Sequence, residues 1–287
     1  FLGDWCRIYS RKAIWEGMDA IVAPPYGLGL AAKDADFILA REVINKTFPK
    51  FCDLLNDFHG TGYSERLWKF FLGHWYRRAV DVLINRTNTL KLCMSEYGIS
   101  GTTVISSETY CLAPQDSYSS IWAFSDDVWN SVLTGRILNL LEVDEFTIEN
   151  LDLDNKSSFN LNIKNAEDVS SGRMKLFSEL KRLIRFFLKI LSRNNDGFII
   201  NSYLPILEEF KLSLVLGQMP SKWVSPMLDI QEKPDRILRR NLSNNFKYCA
   251  GDELNRIVGS LMFELLPVCY LEGFNRIGSI VNTLPWP

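Results

Sequence analysis

Histidine is the residue type whose ordinary pKa best suits proton transfer near neutral pH, and His59 is the better placed of the 2 histidines in this sequence. It lies in Asp57-Phe-His-Gly60, where one helix is predicted to end, shortly before a second predicted helix that carries Arg66. A histidine at such a glycine-flanked junction can face a cleft and act as a general base or bind phosphate. The alternative is a structural histidine that interacts with the C-terminal dipole of the first helix. His74 lies within a helix beside Trp75 and is predicted to be structural.

Asp4 is the second candidate for proton transfer. Phe1 and Leu2 are followed by Gly3 and Asp4, a pattern typical of a buried strand that ends in a functional loop at the carboxyl edge of an α/β sheet. We therefore expect the rest of that strand to precede Phe1. The proline-rich segment Leu284-Pro-Trp-Pro287 is predicted to lead into further sequence.

Motifs of the common enzyme classes are absent from the sequence. There is no G-x-G-x-x-G, Walker loop, G-x-S-x-G or H-E-x-x-H, which argues against the usual nucleotide-binding, hydrolase and metalloprotease classes. The 6 cysteines are scattered singly and there are only 2 histidines, so the sequence predicts neither a zinc site nor a disulfide framework. We expect no metal, no tightly bound cofactor and a cytoplasmic protein.

Composition and charge restrict the class of partner. The 287 residues are 47% hydrophobic, which is enough for a large globular core. The 32 basic residues nearly balance the 34 acidic ones, so no overall field attracts nucleic acid. No uninterrupted apolar run approaches the length of about 18 residues that a membrane-spanning helix needs.

One predicted helix carries a basic face. Met174 to Leu191 is amphipathic, with Lys181, Arg185 and Lys189 at i, i+4 spacing. Such a helix can lie on an anionic membrane surface, here the inner face of the membrane, or it can present a solvated face.

The elements that must position these residues alternate between strands and helices. Strands are predicted at Met18 to Ala23, Thr102 to Ser106 and Phe198 to Asn201. Three helices are predicted between them. The first is Ala32 to Phe58, broken or kinked near Thr47 by Pro49. The second is a long helix capped by Ser64, and the third is capped by Ser125 and runs to about Leu141. The apolar stripe of the second helix consists of Trp68, Phe71, Leu72, Trp75, Ala79, Val82 and Leu83. Strands separated by helices indicate an α/β fold with a parallel sheet, helix-rich and Rossmann-like. The acidic and polar span 142–172 is predicted to be an exposed excursion.

Four blocks of sequence carry a resemblance to a known family. They are Phe1 to Lys12, Leu55 to Trp75, Asp127-Val-Trp-Asn130, and Tyr270-Leu-Glu-Gly-Phe274 with Leu284-Pro-Trp-Pro287. In this order they resemble a transferase family of O-antigen and other surface-carbohydrate (lipopolysaccharide-type) gene clusters, over essentially the whole chain. The resemblance implies a GT-B-like enzyme in which residues 1–287 form a single N-terminal, acceptor-side α/β domain, and a C-terminal donor domain follows.

The resemblance also implies roles for particular side chains. Asp4 or His59 would deprotonate an acceptor hydroxyl, Arg66 would bind phosphate or carboxylate, and Trp5 or Trp75 would stack on a sugar. Asp127 and Asn130 would contribute substrate contacts from the start of their helix. The alternative is that these two polar residues only stabilise the helix start. The substrates would be a nucleotide-activated sugar and a glycan or lipid-linked acceptor, and the isolated fragment would have little activity.

A second class of function fits the same sequence. A non-catalytic α/β binding or scaffold domain, bound to a membrane or an assembly complex, would also explain the weak catalytic signature. A following half with a His-Gly-Gly loop would favour the transferase.

Overall fold

The computed structural model describes residues 1–105, 110–141, 146–151, 204–218, 232–247 and 253–277. The chain divides into two compact units, Phe1–Ile163 with Ile230–Phe274, and Lys164–Asp229 with Asn275–Pro287. The described elements of the first unit, in chain order, are the 3-10 helices η1 (Asp4–Cys6) and η2 (Tyr9–Arg11), α1 (Lys12–Trp15), α2 (Leu30–His59), α3 (Glu65–Tyr97), β1 (Gly101–Ile105), α4 (Ser117–Ala123), α5 (Asp127–Leu141) and β2 (Thr147–Leu151). Helix α6 (Ile206–Val215) belongs to the second unit, and the first unit continues with α7 (Arg236–Lys247), α8 (Glu253–Leu265) and η3 (Val268–Tyr270).

A two-stranded parallel sheet confirms the predicted helix-rich α/β class. Strands β1 and β2 pair in register from Gly101 opposite Thr147 to Ile105 opposite Leu151. Parallel neighbours need a long crossover connection, and α4 and α5 lie between these two strands in the chain. Helix α5 packs on β1, and the absence of a side chain at Gly135 lets the helix approach Val104.

Strand β2 lies within the span 142–172 that the composition predicts to be a polar excursion. Four of its five residues are exposed and Ile148 is half-buried. A strand with so little apolar content gives no hydrophobic pattern to detect.

The predicted break near Thr47 is wrong, because α2 is continuous through Pro49. The alternative, a kink, stays a prediction. Proline removes one backbone hydrogen bond and costs about 3 kcal/mol inside a helix. Here the side chains of Phe48, just before the proline, and of Phe51 and Leu55, after it, are buried on the inner face of the same helix, so tertiary packing offsets that cost. The hydroxyl of Thr47 donates to the carbonyl of Val43 at 2.7 Å and adds a local bond.

Helix α3 confirms its predicted cap and its predicted core face. The Ser64 hydroxyl accepts a hydrogen bond from the backbone N–H of Leu67 at 3.3 Å. The five fully buried members of the predicted stripe are Trp68, Leu72, Trp75, Ala79 and Leu83, while Phe71 and Val82 are half-buried. His74 is exposed on the outer face of this helix, so it is not a core residue.

Aromatic side chains join four helices in one core. The ring of Phe51 on α2 lies 5.1 Å from that of Tyr76 on α3, 5.6 Å from that of Phe246 on α7 and 4.4 Å from that of Phe263 on α8. All four rings are buried. This core holds the end of α2 and the middle of α3 at fixed positions.

Two local predictions near the candidate site are wrong. Met18 to Ala23 is not a strand: Met18 and Ile21 are exposed, and only Ala23 at its end is buried. The cap of α5 is Asp126, whose carboxylate accepts from the N–H of Trp129 at 2.7 Å, and not Ser125 one residue earlier.

Candidate active site

Trp5 marks the place where the start of the described chain meets α3 and α5. Asp4 and Trp5 belong to the short helix η1, not to the exit of a strand as the sequence predicts. The Trp5 ring is buried and folds back over Gly3, where any side chain would collide with it. Its indole N–H has no hydrogen-bond partner among the described residues.

The guanidinium of Arg86, on α3, lies over the face of the Trp5 ring at 5.0 Å from its centroid. Its Nε donates to the side-chain oxygen of Asn130 at 2.8 Å, and its Nη1 to that of Asn85 at 2.7 Å. Its Nη2 makes a long contact of 3.5 Å with the carbonyl of Phe124. All three acceptors are neutral. Burial lowers the pKa of Arg86.

Asn130 positions Arg86 instead of facing solvent. The side chain is buried, and its amide nitrogen donates to the carbonyls of Asp126 at 2.7 Å and Phe124 at 3.1 Å. Its oxygen is therefore turned toward the guanidinium. The predicted contact between Asn130 and substrate stays a prediction, and the structure gives this residue a direct partner in Arg86.

Asp127 is a half-buried carboxylate in the first turn of α5. Burial raises the pKa of Asp127, and the negative charges of Asp126 and Asp4 raise it further, while Arg7 opposes them. Asp4 is exposed and forms an ion pair with Arg7. No hydrogen bond or ion pair engages the Asp127 carboxylate within the described parts of the chain. A carboxylate with a raised pKa and no partner is a stronger base than an ordinary aspartate.

Asp4, Trp5, Arg86, Asp127 and Asn130 form what we call the Arg86 cluster. Four of these five were candidates from sequence. Arg86 was missed, since nothing in the sequence separates it from the other arginines of the same helix, Arg66, Arg77 and Arg78. Its burial and its partners become visible only when η1 and α5 pack against α3.

His59 lies in a different environment, the last residue of α2 before the left-handed Gly60. Its ring stacks on Phe274 with centroids 4.2 Å apart, and lies 6.2 Å from the ring of Trp68. Its Nε2 is 3.1 Å from the carbonyl oxygen of Tyr270. Because a carbonyl only accepts, Nε2 carries the proton. Burial lowers the pKa of His59 and outweighs the opposing hydrogen bond.

These contacts favour the alternative given above for His59, a structural histidine at the end of a helix. Only Nδ1 is left to accept a proton. The predicted role as general base stays a prediction. Arg66 lies exposed in the first turn of α3, and its predicted contact with phosphate or carboxylate stays a prediction as well.

The block Tyr270-Leu-Glu-Gly-Phe274 joins distant elements of the first unit. The Tyr270 hydroxyl lies 2.8 Å from that of Ser117 on α4, and Phe274 meets α2 at His59. Glu272 binds Arg239 of α7 through two bonds of 2.8 and 2.6 Å, and both side chains are buried. The contacts explain this block as a structural joint. Trp75, the other stacking candidate, lies in the core and is unavailable to a sugar.

The described parts of the chain contain no cluster of three or more side chains able to hold a metal ion. Among the same residues, no helix combines the length and the apolar content that crossing a membrane requires. Lys181, Arg185 and Lys189 lie outside the described residues, so the proposed membrane contact through them stays a prediction.

The site combines a buried tryptophan, an arginine whose acceptors among the described residues are all neutral, and an aspartate with a raised pKa. This arrangement is suited to binding an anion and moving a proton. A family model described as LIC12162 family transferase matches residues 1–287. The chain therefore belongs to the LIC12162 family of transferases. No curated protein and no solved structure matches the sequence.

Proposed function

We propose that this chain takes part in transfer of a sugar or related group from a nucleotide-activated donor to a glycan or lipid-linked acceptor in surface-polysaccharide synthesis. Family membership supports a transferase. The sugar, the O-antigen-type product and the GT-B-like arrangement come from the resemblance of the four sequence blocks. The described parallel pair of β1 and β2, with α4 and α5 in the connection between the two strands, is compatible with such a fold.

One observation carries the proposal. Residues far apart in sequence, from η1, α3 and α5, converge here: Arg86 contacts Trp5 and Asn130, and the Asp127 carboxylate lies in the first turn of the helix that carries Asn130. Within the described residues, the guanidinium has only neutral acceptors and the Asp127 carboxylate has no hydrogen-bond or ion-pair partner. Group transfer to a hydroxyl needs a base for the hydroxyl proton and a cation for the charge that develops on the leaving group. Asp127 and Arg86 supply these two chemistries.

In this mechanism Asp127 accepts the proton of the acceptor hydroxyl as the new glycosidic bond forms. The bond from the sugar to the leaving phosphate breaks, and the phosphate keeps the electron pair. Asp4 raises the basicity of Asp127 through its negative charge, and Asn130 holds Arg86 in place. His59 is the alternative base, through Nδ1.

The test is turnover of the full-length protein with a panel of uridine, guanosine, thymidine and cytidine diphosphate sugars. Release of the free nucleotide and the mass of the product are measured, with a bacterial surface glycan or a short lipid-linked saccharide as acceptor. Acceptor-dependent release from one donor supports the proposal. Absence of release from every donor, with folded protein, would contradict it. A non-catalytic scaffold would bind the acceptor and release nothing.

A further inference from the structure

Arg86 is a charge that the described protein does not neutralise. Buried or half-buried cations are normally paired with a carboxylate, because an uncompensated charge in a low-dielectric site costs several kcal/mol. The acceptors of Arg86 are the side-chain oxygens of Asn130 and Asn85 and the carbonyl of Phe124. Of the acids in this region, Asp4 pairs with Arg7 and Asp126 caps α5. The Asp127 carboxylate forms no hydrogen bond or ion pair with Arg86 in the described structure.

The hydrogen-bond inventory of this guanidinium leaves two donors. A guanidinium has five N–H groups in one plane. Three of them point to the neutral acceptors, one from each nitrogen. One N–H therefore remains on each of the two terminal nitrogens. Two such donors on neighbouring nitrogens match two oxygens of a phosphate group.

The neighbours of Arg86 hold it in place for such a ligand. Trp5 covers one face of the guanidinium, and Asn85 and Asn130 fix its plane from α3 and α5. The buried indole N–H of Trp5 is a further donor that has no partner within the described residues. A site with fixed donors binds an anion without the entropic cost of ordering a flexible arginine.

We propose that Arg86, backed by Trp5, is the subsite for a phosphate group of the substrate. The choice of phosphate over carboxylate rests on the proposed function, in which the leaving group is a phosphate. The site binds the diphosphate either of the nucleotide donor or of a lipid-linked acceptor, and both present the same oxygens to the guanidinium.

The experiment measures equilibrium binding of three probes to the full-length protein by calorimetry: inorganic pyrophosphate, uridine diphosphate and geranyl diphosphate. Arg86→Gln is expected to weaken pyrophosphate binding by at least about 10-fold, the usual worth of a charge-assisted pair of hydrogen bonds. Arg78→Gln removes the same charge from an exposed position of the same helix and is expected to leave binding within about twofold. Tighter binding of uridine diphosphate would place the nucleotide donor in the site, and tighter binding of geranyl diphosphate would place the lipid-linked substrate there.

Folding is monitored in the same variants by circular dichroism. If Arg86→Gln does not fold, Arg86→Lys is used instead, because lysine keeps the charge but cannot donate the bidentate pair of hydrogen bonds. It is expected to bind pyrophosphate several-fold more weakly. Unchanged binding in a folded Arg86 variant, or no binding of any probe to the unmodified protein, would overturn the proposal. Binding does not require turnover, so a protein that binds pyrophosphate through Arg86 but transfers no sugar would refute only the proposed function.

Discussion

The imidazole of His59 stacks on the ring of Phe274, with centroids 4.2 Å apart and planes inclined by 27°. This contact joins the last residue of α2 to the segment that follows η3, and the two residues are 215 positions apart in the sequence. The hydrogen bond from His59 to the Tyr270 carbonyl reinforces the same junction. Two of the sequence blocks that carry the family resemblance are thus two sides of one packed joint.

Truncation of Phe274 should open this joint. Phe274→Ala removes ring contacts with His59, Trp68 and Tyr63, and we expect the free energy of unfolding to fall by about 2 kcal/mol, less than for a fully buried phenylalanine. Urea denaturation measures the change. Phe70→Ala is the matched control, since Phe70 is 77% exposed on α3 and its loss should cost little. Equal effects of the two substitutions would show that the joint adds no stability.

The stability of the protein should decline in mild acid because of His59. Its pKa in the folded state is lowered from the ordinary value of 6.5. The unfolded state therefore binds more protons below about pH 6.5, so stability is fully present above that pH and is lost as pH falls toward the folded pKa. His59→Gln should remove this component. The measurement is the free energy of unfolding of both proteins at pH 7.5 and pH 5.0. A difference between the two proteins that does not change with pH would exclude a lowered pKa.

The buried pair of Glu272 and Arg239 should be far more sensitive to substitution than an exposed pair. Glu272→Gln leaves the Arg239 charge buried without a carboxylate, and we expect a loss of about 3 to 5 kcal/mol in the free energy of unfolding. Glu16→Gln breaks the exposed pair with Lys12 and should cost less than about 0.5 kcal/mol. Urea midpoints at neutral pH compare the two variants. Similar small losses in both would mean that water reaches the pair of Glu272 and Arg239.

The sequence predicts those parts of the fold that depend on local patterns. The Ser64 cap, the apolar stripe of α3 and the strand beginning near Thr102 follow from side-chain spacing alone. The continuity of α2 through Pro49 does not, because it depends on the rings of Phe246 and Phe263 that pack on Phe51 from the far end of the chain. The exposed strand β2 lacks an apolar pattern and exists through its pairing with β1.

The candidate site divides in the same way. Asp4, Trp5, Asp127 and Asn130 were recognisable as polar or aromatic residues at the starts of short elements and in blocks that resemble a family. Arg86 was not, because a charged residue on a long helix has the same local pattern whether it faces water or a buried tryptophan. Its distinguishing property is that, in the part of the chain that the structure describes, only neutral groups accept its hydrogen bonds once α3, α5 and η1 have packed together.

Turnover of Asp127→Asn in the full-length protein distinguishes Asp127 from His59 as the base for proton transfer. With the nucleotide sugar that gives the highest turnover, we expect a decrease of about 100-fold or more, the usual minimum for loss of a general base. The urea midpoint should be unchanged or slightly raised, because ionisation of a carboxylate with a raised pKa opposes folding at neutral pH. Asp19→Asn, in an exposed segment, is the matched control and should retain normal turnover. The contrary result is normal turnover in Asp127→Asn together with a 100-fold loss in a fully stable His59→Gln, which would assign proton transfer to His59.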